Sequence, residues 1–490
     1  MDFIQVNLID PLSHFLYTYV LIYLLVGAGI YFTIRTGAVQ VRYFGRMITQ
    51  IFNSRSGSEG GISSFQAFCV GLASRVGTGN IAGVAIALTL GGPGAIFWMW
   101  VVAALGMATA FIEATLAQIF KVRAADGSFR GGPAFYIQRG LNSRAGGVLF
   151  AVLLIFTFGV AFNLVQANAI SDVLGASQEI PAKWTGVVLM VLTAPVLFGG
   201  VRRVAKVAEL VLPAMALLYV VLALLIVILN INQLGAVFKM IIGGAFGIDE
   251  LAGGFVGGIA AALLNGVKRG LFSNEAGMGS APNAAATATV SHPVKQGFVQ
   301  SLGVFVDTMV ICTATAFIIL VSGPEVYDPA NTGGIAGATL TQSAVAAALG
   351  SWSGYLMTFL ITIFAFSSIL GNYSYAEVNL FFLGAKKLAL NLFRVVVLLS
   401  IAIGAIAALA TVWAIADVAM ALMAMVNLVA ICLLGKWAFG AFKDFRRQEA
   451  LGQDPVFVAD DNPDLPGELP GEVWNAENGR LFAEHGGAPG

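Results

Sequence analysis

Apolar runs of about 20 residues or more constrain this chain of 490 residues more than any other feature. A helix needs roughly 20 apolar residues to cross about 30 Å of hydrocarbon, and buried helices of water-soluble proteins seldom offer such a run. Charged residues make up only 11% of the chain, too few to cover a water-soluble globule of this length. Because the alternating pattern of a β-barrel is absent, we predict an all-α polytopic membrane protein.

Polar residues divide the chain into eleven apolar segments, and we predict that each is a transmembrane helix. The segments lie near 13–33, 63–91, 94–120, 147–174, 184–200, 207–230, 253–290, 297–322, 350–383, 393–411 and 413–435.

The distribution of basic residues predicts the orientation of these helices. With the N-terminus outside, 21 of the 26 Lys and Arg residues fall in cytoplasmic loops or in the C-terminal tail, whereas only Lys183 and Lys239 fall outside. The other three, Arg75, Lys268 and Arg269, lie in or beside interrupted helices. This bias is typical of inner-membrane proteins. We therefore expect a multi-pass protein of the bacterial inner membrane, with a cytoplasmic C-terminus. The acidic, Pro- and Gly-containing tail from about 451 is expected to be solvated and largely disordered.

Two of the apolar segments, 63–92 and 257–288, are interrupted by Gly-rich polar residues. If each begins a five-helix unit, the second unit enters the membrane from the opposite side because five is odd, which produces an inverted repeat. The predicted organisation is an N-terminal outer helix with a cytoplasmic connection, a first repeat, an extracellular connection, a second repeat and a cytoplasmic tail. These parts cover 1–62, 63–232, 233–252, 253–436 and 437–490.

The first interruption is SRVGTGN, residues 74–80. Gly77 and Gly79 allow the backbone to leave helical geometry, and Asn80 is a suitable cap for the half-helix that follows. Non-helical backbone at membrane depth survives where it lines a cavity, and N–H groups at a helix start favour a carboxylate. The alternative is a close helix crossing at the glycines, although this would leave the neighbouring polar residues unexplained.

The second interruption is GLFSNEAGMGSAP, residues 270–282. Carbonyl groups at the end of its first half would suit an ammonium group or Na⁺, so two opposed breaks can hold both ends of a zwitterion. A cytoplasmic loop between two shorter spans is the alternative. Arg75 and Glu275, one in each break, could form an ion pair, or could separately snorkel or contact the backbone.

These motifs resemble those of the alanine or glycine:cation symporters, which include the sodium/alanine symporters. The resemblance extends to about residue 447 and rests on VGTGNIAGVA (76–85), GGPAFYI (131–137), RGLFSNEAGMGSAP (269–282) and AFSSILGNYSYAE (365–377). It implies a LeuT-type fold, a 5+5 inverted repeat with one extra N-terminal helix. It also implies a substrate site at Thr78, Gly79, Asn80, Phe162, Gln166, Ser273, Asn274 and Asn372.

The same resemblance implies that Na⁺ is the coupling ion. Its ligands would be carbonyl groups of Ala73, Val76 and Phe364 and the hydroxyls of Ser367 and Ser368. As alternatives, the serines could bond carbonyls of their own helix, Gln166 could serve a helix-to-helix hydrogen bond, and Phe162 could face lipid or the core.

One position departs from the family pattern, because many members have Trp where this chain has Asn372. The substrate class, a small neutral amino acid, is therefore better supported than the choice among alanine, glycine and serine. No catalytic residue pair, organic cofactor, metal cluster or nucleic-acid-binding feature is expected. Membrane lipid is the remaining partner. A proton-coupled transporter of the same fold, a channel and an amino-acid sensor remain alternatives.

Overall fold

The computed structural model describes residues 5–52, 62–125, 127–199, 201–248, 258–329, 336–471 and 473–477. The protein is mostly helical, with one short β-hairpin in which Val122–Arg123 (β1) pairs with Phe129–Arg130 (β2). The N-terminal half contains α1 (Gln5–Thr36), α2 (Phe44–Phe52), α3 (Ser64–Arg75), α4 (Gly79–Gly91), α5 (Gly94–Ile119), α6 (Pro133–Gly140), α7 (Arg144–Gln178), α8 (Ala182–Leu197) and α9 (Val201–Leu229).

The C-terminal half contains α10 (Leu234–Phe246), α11 (Gly258–Asn274), α12 (Ala281–Ala285), α13 (Pro293–Leu320), α14 (Ala338–Leu349), α15 (Trp352–Phe382), α16 (Lys387–Ile406) and α17 (Leu409–Ala450). Helix α5 lies at the centre of the bundle, where it packs against α11 and α13 and is buried over most of its second half. A second group forms around α7, which packs against α15 and α16.

Seven helices in the described residues are long and apolar enough to cross a membrane, and nine spans result if each sharply bent pair counts as one. The bent pairs are α3 with α4, at 47°, and the second part of α9 (Pro213–Leu229) with Ile231–Phe246, at 77°. These helices confirm the prediction of an all-α polytopic membrane protein. Helices α8 and α11, with 16 and 17 residues, fall just short of a full span.

Helices α10 and α14 are among those that lie where the sequence analysis predicted none. Helix α10 occupies most of the predicted connection 233–252, and α14 lies between the predicted segments 297–322 and 350–383. With 13 and 12 residues, both are too short to be recognised as spans from apolar length alone. The predicted start of the second repeat at residue 253 lies outside the described residues.

The C-terminal segment corrects a second prediction. Residues 437–450 continue helix α17, and the side chains of Phe457 and Trp474 are buried against the bundle. The Phe457 N–H donates to the Ser291 carbonyl at 2.8 Å, and the Trp474 indole N–H donates to the Gln118 carbonyl at 2.8 Å. The prediction of a largely disordered tail was therefore wrong for the described part of 437–490, because its apolar side chains are buried against the helix bundle. Residues 478–490 lie outside the described residues.

Candidate functional site

The first break is formed by residues between α3 and α4. Helix α3 ends at Arg75, Val76 is extended (φ −76°, ψ 91°), and α4 begins at Gly79. The Asn80 Oδ1 accepts the Gly77 N–H at 2.9 Å, so Asn80 stabilises the break from inside α4 rather than as the predicted cap. A Cβ at Gly77 would lie 2.1 Å from the Ser368 Oγ, which explains why glycine is required there. The predicted interruption is confirmed.

The second break lies between α11 and α12. Residues 275, 277 and 279 all have positive φ, at 58° for Glu275, 91° for Gly277 and 83° for Gly279. Such angles are unfavourable for residues with a Cβ, and two of these three positions are glycine. The chain therefore turns away from α11 and starts the short α12 at Ala281. The alternative of a simple loop between two ordinary spans does not describe this buried turn.

A buried carboxylate connects the two breaks. Glu275 accepts hydrogen bonds from the Ser74 hydroxyl, at 2.7 Å, and from the Ser280 hydroxyl, at 2.6 Å. Arg75 instead directs its Nη1 to the Gln300 carbonyl at 3.4 Å, and no Arg75–Glu275 ion pair forms within the part of the chain that the structure describes. Arg75 therefore makes a separate contact with a backbone carbonyl and does not pair with Glu275.

The donors at the N-terminal end of α4 already have a hydrogen-bond acceptor. Both the Thr78 N–H and the Thr78 hydroxyl donate to Gln166 Oε1, at 3.2 and 2.9 Å. Thr78, Gly79, Asn80 and Gln166 are all buried. The helix-to-helix hydrogen bond of Gln166 is therefore present, and it occupies the donors that the sequence analysis assigned to a carboxylate. A carboxylate oxygen is the stronger acceptor for the same donors.

Asn80 also contacts the second broken helix. Its Nδ2 lies 3.0 Å from the Ser273 Oγ and 2.6 Å from Asp307 Oδ1, and the Ser273 hydroxyl donates to Asp307 Oδ2 at 2.6 Å. Asp307 is not among the site residues that the sequence analysis proposed. A signal was available, since a lone acid in the apolar run of α13 needs polar partners, but the sequence did not show which helices supply them.

Asn274 and Asn372 occupy different surroundings from Ser273. The Asn274 Oδ1 accepts the Ala276 N–H at 3.0 Å, while its Nδ2 is buried without an acceptor among the described residues. The Asn372 Oδ1 lies 2.9 Å from the Ser74 Oγ, and the Asn372 Nδ2 donates to Asn163 Oδ1 at 3.0 Å. The position that departs from the family pattern is thus part of a buried polar network beside the first break.

Phe162 packs in a stack of aromatic rings in the core. Its ring centroid is 4.4 Å from that of Phe272, which is 4.5 Å from that of Trp413. Of the alternatives for Phe162, the structure places it in the core. Phe272 and Trp413 did not emerge from the sequence, because their apolar surroundings resemble any other buried segment.

Four of the five predicted cation ligands come together. The Ser368 hydroxyl lies 2.9 Å from the Ala73 carbonyl and 3.1 Å from the Phe364 carbonyl, and the Ser367 hydroxyl lies 2.8 Å from the same Phe364 carbonyl. The intrahelical alternative is therefore also present, since both serines bond Phe364 on their own helix. The Ala73 contact is different, because it joins α15 to α3 across the first break. Carbonyl and hydroxyl oxygens of this kind suit Na⁺.

A cavity of about 500 Å³ has Trp413, a member of the aromatic stack, in its wall. Other lining residues come from α1, α4, α11 and α17, and they include Lys268, Arg269 and Asp417. We call the end of the bundle that opens here the cavity end. The opposite end, where Phe457 and Trp474 pack, is the tail end.

Apolar helices of membrane-spanning length and two helices interrupted beside buried polar groups define a polytopic α-helical membrane protein of the transporter class. The model of the sodium:alanine symporter family matches residues 1–459, and the chain belongs to that family.

Relatives with assigned names support this membership. The chain is 48% identical to the probable sodium/glutamine symporter GlnT of Bacillus subtilis, over 94% of this chain and 95% of the relative. It is 40% identical to the putative sodium/proton-dependent alanine carrier protein YrbD of the same organism, over 96% and 98%. It is 38% identical to the sodium/alanine symporter AgcS of Methanococcus maripaludis, over 92% and 99%.

Proposed function

We propose that this protein is a sodium-coupled symporter that imports a small neutral amino acid, alanine or glycine, by alternating access. The observation that carries the proposal is the meeting of the two breaks, where Asn80 of α4 contacts Ser273 of α11 at 3.0 Å. Helix ends and bare peptide groups at such a junction can bind a small dipolar molecule without any catalytic group. The protein acts as a transporter and not as an enzyme.

In this proposal the substrate carboxylate displaces Gln166 Oε1 from the Thr78 donors and is held by Thr78, Gly79 and Asn80. The amino group lies near Ser273 and Asn274, whose hydroxyl and side-chain carbonyl oxygens can accept its N–H groups. Phe162, Gln166 and Asn372 form the rest of the substrate site. Replacement of one acceptor by another keeps the helix start hydrogen-bonded throughout the cycle.

Na⁺ binds between α3 and α15 in the same proposal, with the carbonyl groups of Ala73, Val76 and Phe364 and the hydroxyls of Ser367 and Ser368 as its ligands. The contact between Ser368 and Ala73 supports this assignment, because it spans the two helices at the point where a bound cation would tie them together. The hydroxyls would turn their lone pairs to the ion when it enters. Na⁺ therefore favours the conformation that holds the substrate.

We further propose a LeuT-type architecture of eleven spans, with inverted five-helix repeats at 63–232 and 253–436. Support comes from the two broken helices, which lie at corresponding positions near the start of each repeat. The N-terminus and the cavity end face outside, and the C-terminus and the tail end face the cytoplasm. The distribution of Lys and Arg in the sequence supports this orientation.

The free energy released when Na⁺ enters the cell is sufficient to accumulate the amino acid. One Na⁺ entering down a potential of about 100 mV supplies roughly 2.3 kcal/mol, and a tenfold concentration gradient supplies about 1.4 kcal/mol more. Together these support accumulation of a neutral zwitterion by a few hundredfold. ATP is not required.

Two names among the relatives favour specific alternatives. YrbD is named as sodium/proton-dependent, so coupling to protons is the second candidate, and GlnT is named for glutamine, so a larger neutral substrate is the third. A channel or sensor is less well supported, because the relatives are named as symporters or carriers.

Uptake by purified protein in proteoliposomes separates these candidates. Labelled alanine, glycine and glutamine are supplied under inward gradients of Na⁺, Li⁺ or H⁺ at a fixed membrane potential. Concentrative uptake of alanine or glycine that requires the Na⁺ gradient is the expected result. Uptake driven equally by H⁺ alone would contradict sodium coupling, and equilibration without accumulation would indicate a channel.

A further inference from the structure

The connection between α12 and α13, residues 286–292, is paired with the start of the first broken helix at the tail end. The Ile62 N–H donates to the Thr287 carbonyl at 3.3 Å, and the Thr289 N–H donates to the Ile62 carbonyl at 3.1 Å. Ile62 directly precedes Ser63, the N-cap of α3. Alternating access requires the tail end to open to the cytoplasm in part of the cycle. This pairing must then break, because it joins the two broken helices across that end.

The tail segment, which we define as residues 454–477, bonds the same connection and the start of α13. The Phe457 N–H donates to the Ser291 carbonyl at 2.8 Å, and the Ser291 hydroxyl donates to the Pro455 carbonyl at 3.0 Å. The Lys295 Nζ lies 2.7 Å from Asp454 Oδ1. These contacts fix the connection to the tail segment while it is paired with Ile62.

Trp474 anchors the other end of the tail segment to α5. Its side chain is 1% exposed, and its indole N–H donates to the Gln118 carbonyl. The Trp474 carbonyl accepts the Ala459 N–H at 2.8 Å, so the two ends of the segment are held together. The Gln118 Nε2 in turn donates to the Ala288 carbonyl at 3.0 Å. The connection is therefore bonded to α5 and to the tail segment, and these two are bonded to each other.

The contacts of the tail segment are of a kind that can be released without unfolding the bundle. Asp454 is 61% exposed in its ion pair with Lys295, and exposed ion pairs contribute little to stability. The family model matches residues 1–459, so the Trp474 anchor lies beyond the part of the chain that it covers. A contact that transport by the whole family required is not expected there, whereas a contact that adjusts the rate of this protein can lie there.

We propose that the tail segment is an autoinhibitory strap. While it is docked, it holds the α12–α13 connection against Ile62, slows the opening of the tail end and thereby limits the rate of transport. Release of the strap shifts the population toward the state that is open at the tail end. This inference rests on the proposed function for the transport cycle and for the orientation.

Release of the strap in the full-length protein is the first test. Trp474→Ala removes the anchor, and Trp352→Ala is the matched control because Trp352 is 61% exposed. Sodium-driven uptake of labelled alanine or glycine into proteoliposomes is measured per amount of reconstituted protein. The maximal rate should rise at least threefold in Trp474→Ala and stay unchanged in Trp352→Ala. A tail that serves only stability predicts an unchanged or lower rate in Trp474→Ala, so the direction of the change separates the two roles.

Locking the strap keeps the proposal testable if Trp474→Ala does not fold. Lys295→Cys and Asp454→Cys are combined with Cys432→Ser, and the two new thiols are joined by a short bis-methanethiosulfonate reagent. Uptake should fall at least fivefold on cross-linking and recover with dithiothreitol, whereas each of the two substitutions alone should be insensitive to the reagent. Uptake that does not rise in folded Trp474→Ala, or that is unaffected by the cross-link, would overturn the strap. Absence of sodium-driven uptake by the wild type would instead contradict the proposed function.

Discussion

At the scale of single residues, the first break depends on a close approach that only glycine permits. Gly77 faces the Ser368 Oγ, which also contacts the Ala73 carbonyl. The sequence predicted that the glycines allow the backbone to leave the helix. It did not predict that a side chain from α15 fills the space where a Cβ would lie, because that contact joins residues almost 300 positions apart.

We expect Gly77→Ala to abolish sodium-driven uptake. Its Cβ would lie 2.1 Å from the Ser368 Oγ, so either the serine or the break must move. Gly354→Ala, in helix α15, is the control, since nothing lies within 4 Å of a Cβ there. Uptake and protein yield are measured for both variants. Near-normal uptake by Gly77→Ala would show that this contact does not matter for transport.

Ser368→Ala should reduce the apparent affinity for Na⁺ about tenfold, equivalent to roughly 1.4 kcal/mol, because one proposed ligand is lost. The same change at Ser374, a buried serine of α15 that bonds only the Gly371 carbonyl among the described residues, should leave Na⁺ dependence unchanged. Uptake is measured over a range of Na⁺ concentrations with substrate saturating. An equal effect of the two substitutions would place the cation elsewhere.

At the scale of elements, the two interruptions were predictable and several helices were not. Glycine and polar residues inside an apolar run are a local signal, so the breaks at 74–80 and 270–282 could be read directly. Helices α10 and α14 carry no such signal, because each is too short to span and is stabilised by packing. The acidic composition of the C-terminal segment suggested disorder, but its aromatic side chains Phe457 and Trp474 are buried against the bundle.

The tail segment covers the polar connection between α12 and α13. Lys121 donates to the Ala288 carbonyl at 3.0 Å, and its Nζ lies 4.6 Å from the Trp474 ring centroid. Desolvation by burial lowers the pKa of Lys121 well below its usual range, and the neighbouring Arg123 lowers it further. The cation–π contact between Lys121 and the Trp474 ring offsets part of the free-energy cost of burying the lysine charge, so the tail contributes to the stability of the tail end.

Trp474→Ala should destabilise the protein by about 3 kcal/mol, the usual cost of removing a buried Trp side chain. The apparent Tm in detergent should fall accordingly. Trp352 is 61% exposed, so Trp352→Ala should change Tm much less in detergent. If both substitutions lower Tm equally, the packing of the tail is not a significant source of stability.

At the scale of the whole molecule, the proposed orientation places the cavity end outside and the tail end in the cytoplasm. The sequence predicted this arrangement from its basic residues, but the fold alone does not distinguish the two faces. Ala410 and Gln453 are exposed at opposite ends of α17 and its extension. They are therefore suitable reporters of orientation.

A membrane-impermeant maleimide applied to intact cells should label Ala410→Cys and should leave Gln453→Cys unlabelled. Both variants are made with Cys432→Ser, since Cys432 is the partly exposed native cysteine and Cys69 and Cys312 are buried. Permeabilised cells, in which both should react, provide the control. The reverse labelling pattern would invert the proposed orientation.

Thermodynamic linkage between the two ligands tests the central claim most directly. If Na⁺ and an amino acid both stabilise the meeting of the two broken helices, each must raise the affinity for the other by the same factor. Binding of labelled Na⁺ is measured with and without saturating alanine, and binding of labelled alanine with and without saturating Na⁺. We predict equal enhancement factors, at least tenfold, that are lost in Gly77→Ala. Independent binding of the two ligands to the wild type would contradict the account.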